Sequence, residues 1–311
     1  MSSFLHITNG DFTTEILRNL PIEGEIITWR EMLCEGKTTT DVGSEDFWKT
    51  RFDFLNSSYK ITKKTFIDFT LKEYRNLCKQ NQDEIILWFD HDLFCQINMI
   101  AVVSWLKRYR KGRKITIIQT GPDENKRAVG FSKLTQKELL KLHENRTTLT
   151  QDDIEYADYI WQLYCSDSPI RLETVHKFNP SSPFIYLTDA ISAHLQRFPS
   201  IENGLNSIEN TILSTADSTQ FKSENELVST LLNQQGVYGF GDIQYTNKLQ
   251  ELKKLFSSFN PVKLNDIGKE VLNNQLNYYR QIRSDFSYLG GARKYSYLFM
   301  NSTNKLLKLT S

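Results

Sequence analysis

The chain has 311 residues, with 38 Lys and Arg against 37 Asp and Glu and a formal net charge of +1. With 39% apolar residues, 14 Gly and 7 Pro, it can bury two modules or one extended α/β domain, which excludes collagen-like, low-complexity and disordered chains. Near-neutrality excludes a chain that is basic throughout and leaves local patches open.

Residues 4–8 read as a strand stopped by Asn9-Gly10, with Asp11 as the N-cap of a helix carrying Ile16, Leu17 and Leu20. Residues 25–29 form a second strand, ending in the polar group Arg30, Glu31 and Glu35 before Gly36. The aromatic spacing over 46–80 suits two amphipathic helices separated near 56–59. The period then changes, because 84–89 is a continuous apolar run of the kind found in a strand buried on both faces, and it ends in Asp90-His91-Asp92. A helix over 94–106 leads through a basic run to a strand at 114–118, closed by Gln119-Thr120-Gly121-Pro122. Strands alternating with helices predict a mostly parallel sheet.

Beyond Gly130 the pattern is helical, at 136–145 and 151–165. Ser181-Ser182-Pro183 introduces 184–187, which fits a strand or a helix start, continuing into 190–198. A short helix at 204–213 precedes a polar linker at 215–223. Helices at 224–233, 246–257 and 265–274 follow, then strands at 286–289, 295–300 and 306–309 with turns at Gly290-Gly291 and 302–304. Helices followed by hairpin strands are the outline of a winged helix. From Glu251 onward, ten Lys or Arg stand against four acids. The expected organisation is a Rossmann-like α/β domain over 1–125, a helical middle over 126–222 and a basic winged-helix-like module over 223–311.

Cys34, Cys78, Cys95 and Cys165 are far apart and match no tetrahedral zinc spacing, so they are expected to be reduced and largely buried. There is no basic leader and no run of roughly 18 apolar residues, so a cytoplasmic, non-membrane protein is expected.

Successive parallel strands end on one edge of the sheet, where open α/β folds bind ligands. His6, Asn9, Gly10 and Asp11, then Arg30 and Glu31, then Asp90, His91 and Asp92 fall there, with Gln96 one turn into the following helix. Asn9-Gly10 offers helix N-terminal amides to an anion, and Arg30 can grip one; equally, Asp11 is an ordinary cap and Arg30, Glu31 and Glu35 fix a loop. Asp90 and Asp92 are candidate ligands for magnesium or manganese, with His91 as acid or base; the alternative is that Asp92 only caps its helix. Their spacing matches the acid-x-acid element of nickases and primases as an analogy only. His6 joins the candidate catalytic group. At the other end, Arg280, Arg283, Arg293 and Lys294, interleaved with tyrosines, suit nucleic-acid phosphates or docking on the acid-containing N-terminal domain.

Residues 5–11 (LHITNGD), 27–36 (ITWREMLCEG) and 87–96 (LWFDHDLFCQ), with 194–200 (HLQRFPS), 203–205 and 289–291, resemble the bacterial family called domain of unknown function 1835. In that family the position of Asp90 is usually Glu and that of Glu31 often Asp, exchanges that keep the carboxylate. The resemblance implies no reaction; it marks His6, Asn9, Asp11, Arg30, His91, Asp92 and Gln96 for testing. Two functions are therefore expected to compete. One is hydrolysis or transfer of a phosphorylated small molecule, nucleotide or nucleic-acid end at the strand edge. The other is a non-enzymatic ligand sensor that binds DNA or RNA through the C-terminal module.

Overall fold

The computed structural model describes residues 3–121, 129–177 and 182–309. Pro122, Ser181 and the expected boundary at 125/126 lie outside the described residues. The N-terminal half alternates β1 (Phe4–Asn9), α1 (Gly10–Arg18), β2 (Glu25–Trp29), β3 (Gly36–Lys37) and α2 (Glu45–Tyr59). Next, α3 (Lys63–Phe66) runs through a π-helical turn into α4 (Lys72–Lys79). Then come β4 (Glu84–Phe89), α5 (Leu93–Tyr109), β5 (Lys114–Gln119), α6 (Gln136–Glu144), β6 (Thr147–Thr148) and α7 (Gln151–Tyr164). The break between the aromatic helices falls a few residues later than their spacing predicts, because Lys60 takes the left-handed conformation and caps α2.

The main sheet has the order β2-β1-β4-β5-β6, parallel except for β6. The chain winds outward from β1 to β2 and then crosses to β4, so the ends of β1 and β4 flank a switch point of the Rossmann kind. Alternation along the strands builds two apolar layers. Leu5, Ile7, Ile85, Leu87 and Phe89 face the larger core, which holds α5 and α7; Ile86 and Trp88 face a smaller one with Leu17, Phe131 and Leu139. Helix α5 is buried nearly all round, which explains the weak periodicity of its sequence.

The helical region continues through α8 (Leu187–Leu195), α9 (Ser207–Ser218), α10 (Glu224–Gln234) and α11 (Asp242–Leu252). Residues 184–187 therefore belong to a turn and the start of α8, and α9 runs into the stretch expected to be linker. The predicted helix over 246–257 starts earlier and stops at Leu252; Phe256–Phe259 is instead strand β7, paired antiparallel with β8 (Val262–Leu264). Cross-strand pairing decides this segment over its helical period. With α9, α10, α11 and α12 (Asp266–Leu272), this hairpin makes the winged-helix-like part.

After α13 (Tyr279–Ile282) come β9 (Tyr288–Gly290), β10 (Ala292–Arg293), β11 (Tyr297–Met300) and β12 (Lys305–Lys308). These strands do not extend the wing. β9 pairs in parallel with β3 of the N-terminal half, and Gly290 lies so close to α7 that a Cβ there would sit 2.2 Å from the Tyr164 carbonyl oxygen. No helix among the described residues is long and apolar enough to cross a membrane.

Candidate functional site

At the switch point, Asp92 ends the turn after β4 and caps α5, its Oδ1 accepting the Cys95 backbone N–H at 2.8 Å. One helical turn on, the Cys95 thiol comes to the same place. Ligand atoms of Asp90, Asp92 and Cys95 all lie within 4.8 Å of one another, the two acids half-buried and the cysteine buried. Together they form a donor set for a divalent cation. Cys95 was missed from sequence, although its three-residue spacing from the N-cap Asp92 places it on the first turn beside that carboxylate.

The surroundings hold this cluster rigidly. Asp90 Oδ1 accepts the Thr120 hydroxyl and the Phe131 backbone N–H, the latter at 3.2 Å. Gln96 Nε2 donates to the Asp90 carbonyl at 2.8 Å and to Gln119 Oε1 at 3.0 Å, which leaves Gln96 Oε1 buried without a hydrogen-bond partner among the described residues. Asn9 donates to the Cys95 sulfur at 3.1 Å and accepts from Asn98 at 2.7 Å, so its side chain serves the cluster rather than an anion. Burial, then the Asp92 charge, raise Asp90 to about 7. Burial also raises Asp92, and it pushes the Cys95 thiol well up.

His91 is buried, packs edge-on against Tyr186 at 5.7 Å, and has no hydrogen-bond partner for Nδ1 among the described residues. Burial lowers its pKa. Above the cluster runs a segment from the C-terminal half. The N–H groups of Leu93 and Phe94 donate to the Val237 and Tyr238 carbonyls at 2.6 and 3.3 Å. Gly239, with φ +68°, has no room for a side chain, since a Cβ would stand 2.2 Å from the Asp92 carboxyl. The first amides of α5 are thereby satisfied by protein and not presented to a ligand.

Other residues expected at this edge have different roles. His6 is turned into the protein interior. It is fully buried in the smaller core, where its Nδ1 accepts Trp88 Nε1–H at 3.1 Å and its Nε2 donates to the Glu23 carbonyl at 3.1 Å. Burial lowers its pKa to about 4. Arg30 does not present its fork to an anion: it grips Asp11 through Nε and Nη2 at 2.6 to 3.0 Å and the Phe69 carbonyl at 3.0 Å. Asp11 is thereby neutralised and, with Gly10, lies outside the Asp90 cluster. Glu31 points away from any opening and pairs with fully buried Arg51 at 2.9 Å, whose remaining N–H groups take the Met32, Glu35 and Lys37 carbonyls. Two short segments are thus locked around one guanidinium.

Of the basic C-terminal residues, Arg280 and Arg293 are exposed and make no ion pair among the described residues. Exposed Arg283 pairs with Asp285 at 2.9 Å. Lys294 is the exception, buried against Glu209 at 2.9 Å and closed to a phosphate. Among the cysteines, Cys34 and Cys95 are buried and reduced as expected, Cys165 is half-buried, and Cys78 is exposed.

No protein-family model matches the chain, and no curated protein matches it. Among solved structures, it is similar to the topoisomerase II DNA-binding, cleavage and re-ligation domain of Plasmodium falciparum, at 12% identity and a TM-score of 0.44. The similarity covers 81% of this chain and 42% of that one, so the chain spans less than half of that structure. A likeness this distant carries no functional argument.

Proposed function

We propose that the protein is a non-enzymatic regulator: a divalent cation held by Asp90, Asp92 and Cys95 is its sensed ligand, and its basic C-terminal winged-helix-like module contacts DNA or RNA. The observation that carries this reading is the segment 237–239 lying over the cluster, with Gly239 against Asp92. A cation there bears directly on how the C-terminal half seats on the sheet edge. A thiol beside two carboxylates favours zinc or another transition metal over magnesium. Exposed Arg280 and Arg293, which make no ion pair among the described residues, supply the phosphate contacts. The resemblance of the three N-terminal motifs to domain of unknown function 1835 is part of this proposal.

The test is calorimetric titration of the full chain with zinc, manganese and magnesium, alongside nucleic-acid anisotropy with and without metal. Zinc binding lost in Asp90→Asn/Asp92→Asn, together with metal-dependent, salt-sensitive retention of DNA or RNA, supports the reading. No metal binding, or nucleic-acid binding indifferent to metal, overturns it. The second reading, hydrolysis or transfer of a phosphorylated substrate, is favoured by one observation: among the described residues, His91 Nδ1 makes no hydrogen bond, and it stands between the two acids in sequence. Turnover of a phosphate ester that His91→Ala abolishes without unfolding would replace the first reading with this one.

A further inference from the structure

A cavity of about 1010 Å³ opens between the loop after β2, α2, α11 and the segment leading into β9, and Asp90, Asp92 and Cys95 do not line it. Its volume is that of a site for a small organic molecule. Three of its lining residues, Arg197, Gln244 and Lys294, are themselves more than nine-tenths buried, so its interior is a built polar wall.

The charges in that wall largely cancel. Arg197 faces Glu35 at 3.7 Å, Lys248 pairs with Glu251 at 2.6 Å, and Lys294 pairs with Glu209 at 2.9 Å. Among the lining residues this leaves one cation, Lys37, and one acid, Asp53, without an ion pair. The Lys37 ammonium lies over the Tyr288 ring at 5.2 Å. A polyanion finds no surplus of positive charge here, which excludes a nucleoside triphosphate as the preferred occupant.

What the walls do offer is flat apolar surface with hydrogen-bonding groups between. The rings of Phe54, Tyr288 and Phe286 line it, one face of Phe54 carrying the Arg51 guanidinium at 4.9 Å and one face of Tyr288 the Lys37 ammonium. Phe286 is 91% exposed, an unusual position for a phenylalanine with nothing to cover it. The Asn247 and Ser287 side chains lining the same space make no hydrogen bond among the described residues. Exposed Asp53 matches the hydroxyls of a sugar.

We infer that this cavity binds a nucleoside, its base stacked on Phe286 and Tyr288 and its sugar hydroxyls turned toward Asp53. The ligand lies against the paired strands β3 and β9, which already join the two parts of the chain. Binding at this site is independent of the metal cluster.

The experiment is calorimetry and thermal unfolding of the full chain with adenosine, guanosine, cytidine and uridine, with ribose and ATP as controls. At least one nucleoside is expected to bind with a Kd below about 1 mM and to raise Tm by mass action, more tightly than ATP. Phe286→Ala, which removes an exposed ring and leaves the fold intact, is expected to weaken binding at least tenfold, as is Tyr288→Ala. Asp90→Asn/Asp92→Asn is expected to bind the nucleoside as the unaltered chain does, which separates this inference from the metal reading. Absence of binding by all four nucleosides, equal binding of ribose, tighter binding of ATP, or full affinity in both ring variants overturns it.

Discussion

Acidification offers a quantitative test of the placement of His6. Its Nδ1 accepts the Trp88 indole N–H, so the ring is the Nε2–H tautomer, and a proton on Nδ1 would set two donors face to face in a buried site. The folded pKa is about 4 against 6.5 for a free imidazole. Because the folded value is depressed, the unfolded chain binds the proton first. Stability is intact above pH 6.5, falls as the pH drops through that interval, and has lost the whole contribution once below the folded value. Linkage for this one group gives a loss of about 2 kcal/mol at pH 5 and about 3 kcal/mol at pH 4 relative to pH 7. His6→Gln keeps an acceptor and a donor but cannot titrate. Urea unfolding followed by tryptophan fluorescence at pH 7 and pH 5 should therefore show a fall smaller by about 2 kcal/mol in the variant than in the parent. His143 stacks on Trp88 and is also lowered by burial, so the variant keeps a residual acid sensitivity. Parallel pH profiles for the two proteins would refute the buried, neutral assignment and return His6 to the list of accessible groups.

Three further outcomes follow from the same geometry. Gly239→Ala forces a side chain toward the Asp92 carboxyl from a left-handed backbone, costing about 1–2 kcal/mol for the conformation alone and weakening zinc affinity; unchanged denaturation and unchanged metal titration would show that the segment does not bear on the cluster. Arg51→Met strands the Glu31 carboxylate in the core and should cost about 3–5 kcal/mol, most of it recovered by adding Glu31→Gln; a double variant no more stable than the single one would contradict this. Lys294→Ala is expected to lower Tm through loss of its buried pair with Glu209, whereas Arg280→Ala/Arg293→Ala should leave Tm alone and reduce the salt slope of nucleic-acid binding by about 2; the reverse pattern would place the phosphate contacts elsewhere.

The alternation of strands and helices through the first 120 residues was legible because it is written in local periods. The run 84–89 read as a strand buried on both faces, and Asp92 was readable as an N-cap from its place before an apolar helix. From these the parallel sheet and its ligand-binding edge follow. The partners of each polar group did not follow, because those lie far along the chain. Arg30 looked like an anion grip until Asp11 and the Phe69 carbonyl took its donors, and Glu31 looked like an edge acid until Arg51 arrived from α2. The strand over 4–8 was readable, but only the packing of α6 and its His143 made the face that carries His6 dry. The basic count of the last sixty residues held nine exposed charges, but the tenth, Lys294, was removed by an acid 85 positions earlier. Sequence by itself thus determined the main strands and helices of the N-terminal part, their order and the edge where chemistry can gather. Tertiary structure alone decided which side chains remain available there, since availability depends on burial and long-range pairing, to which no local pattern is sensitive.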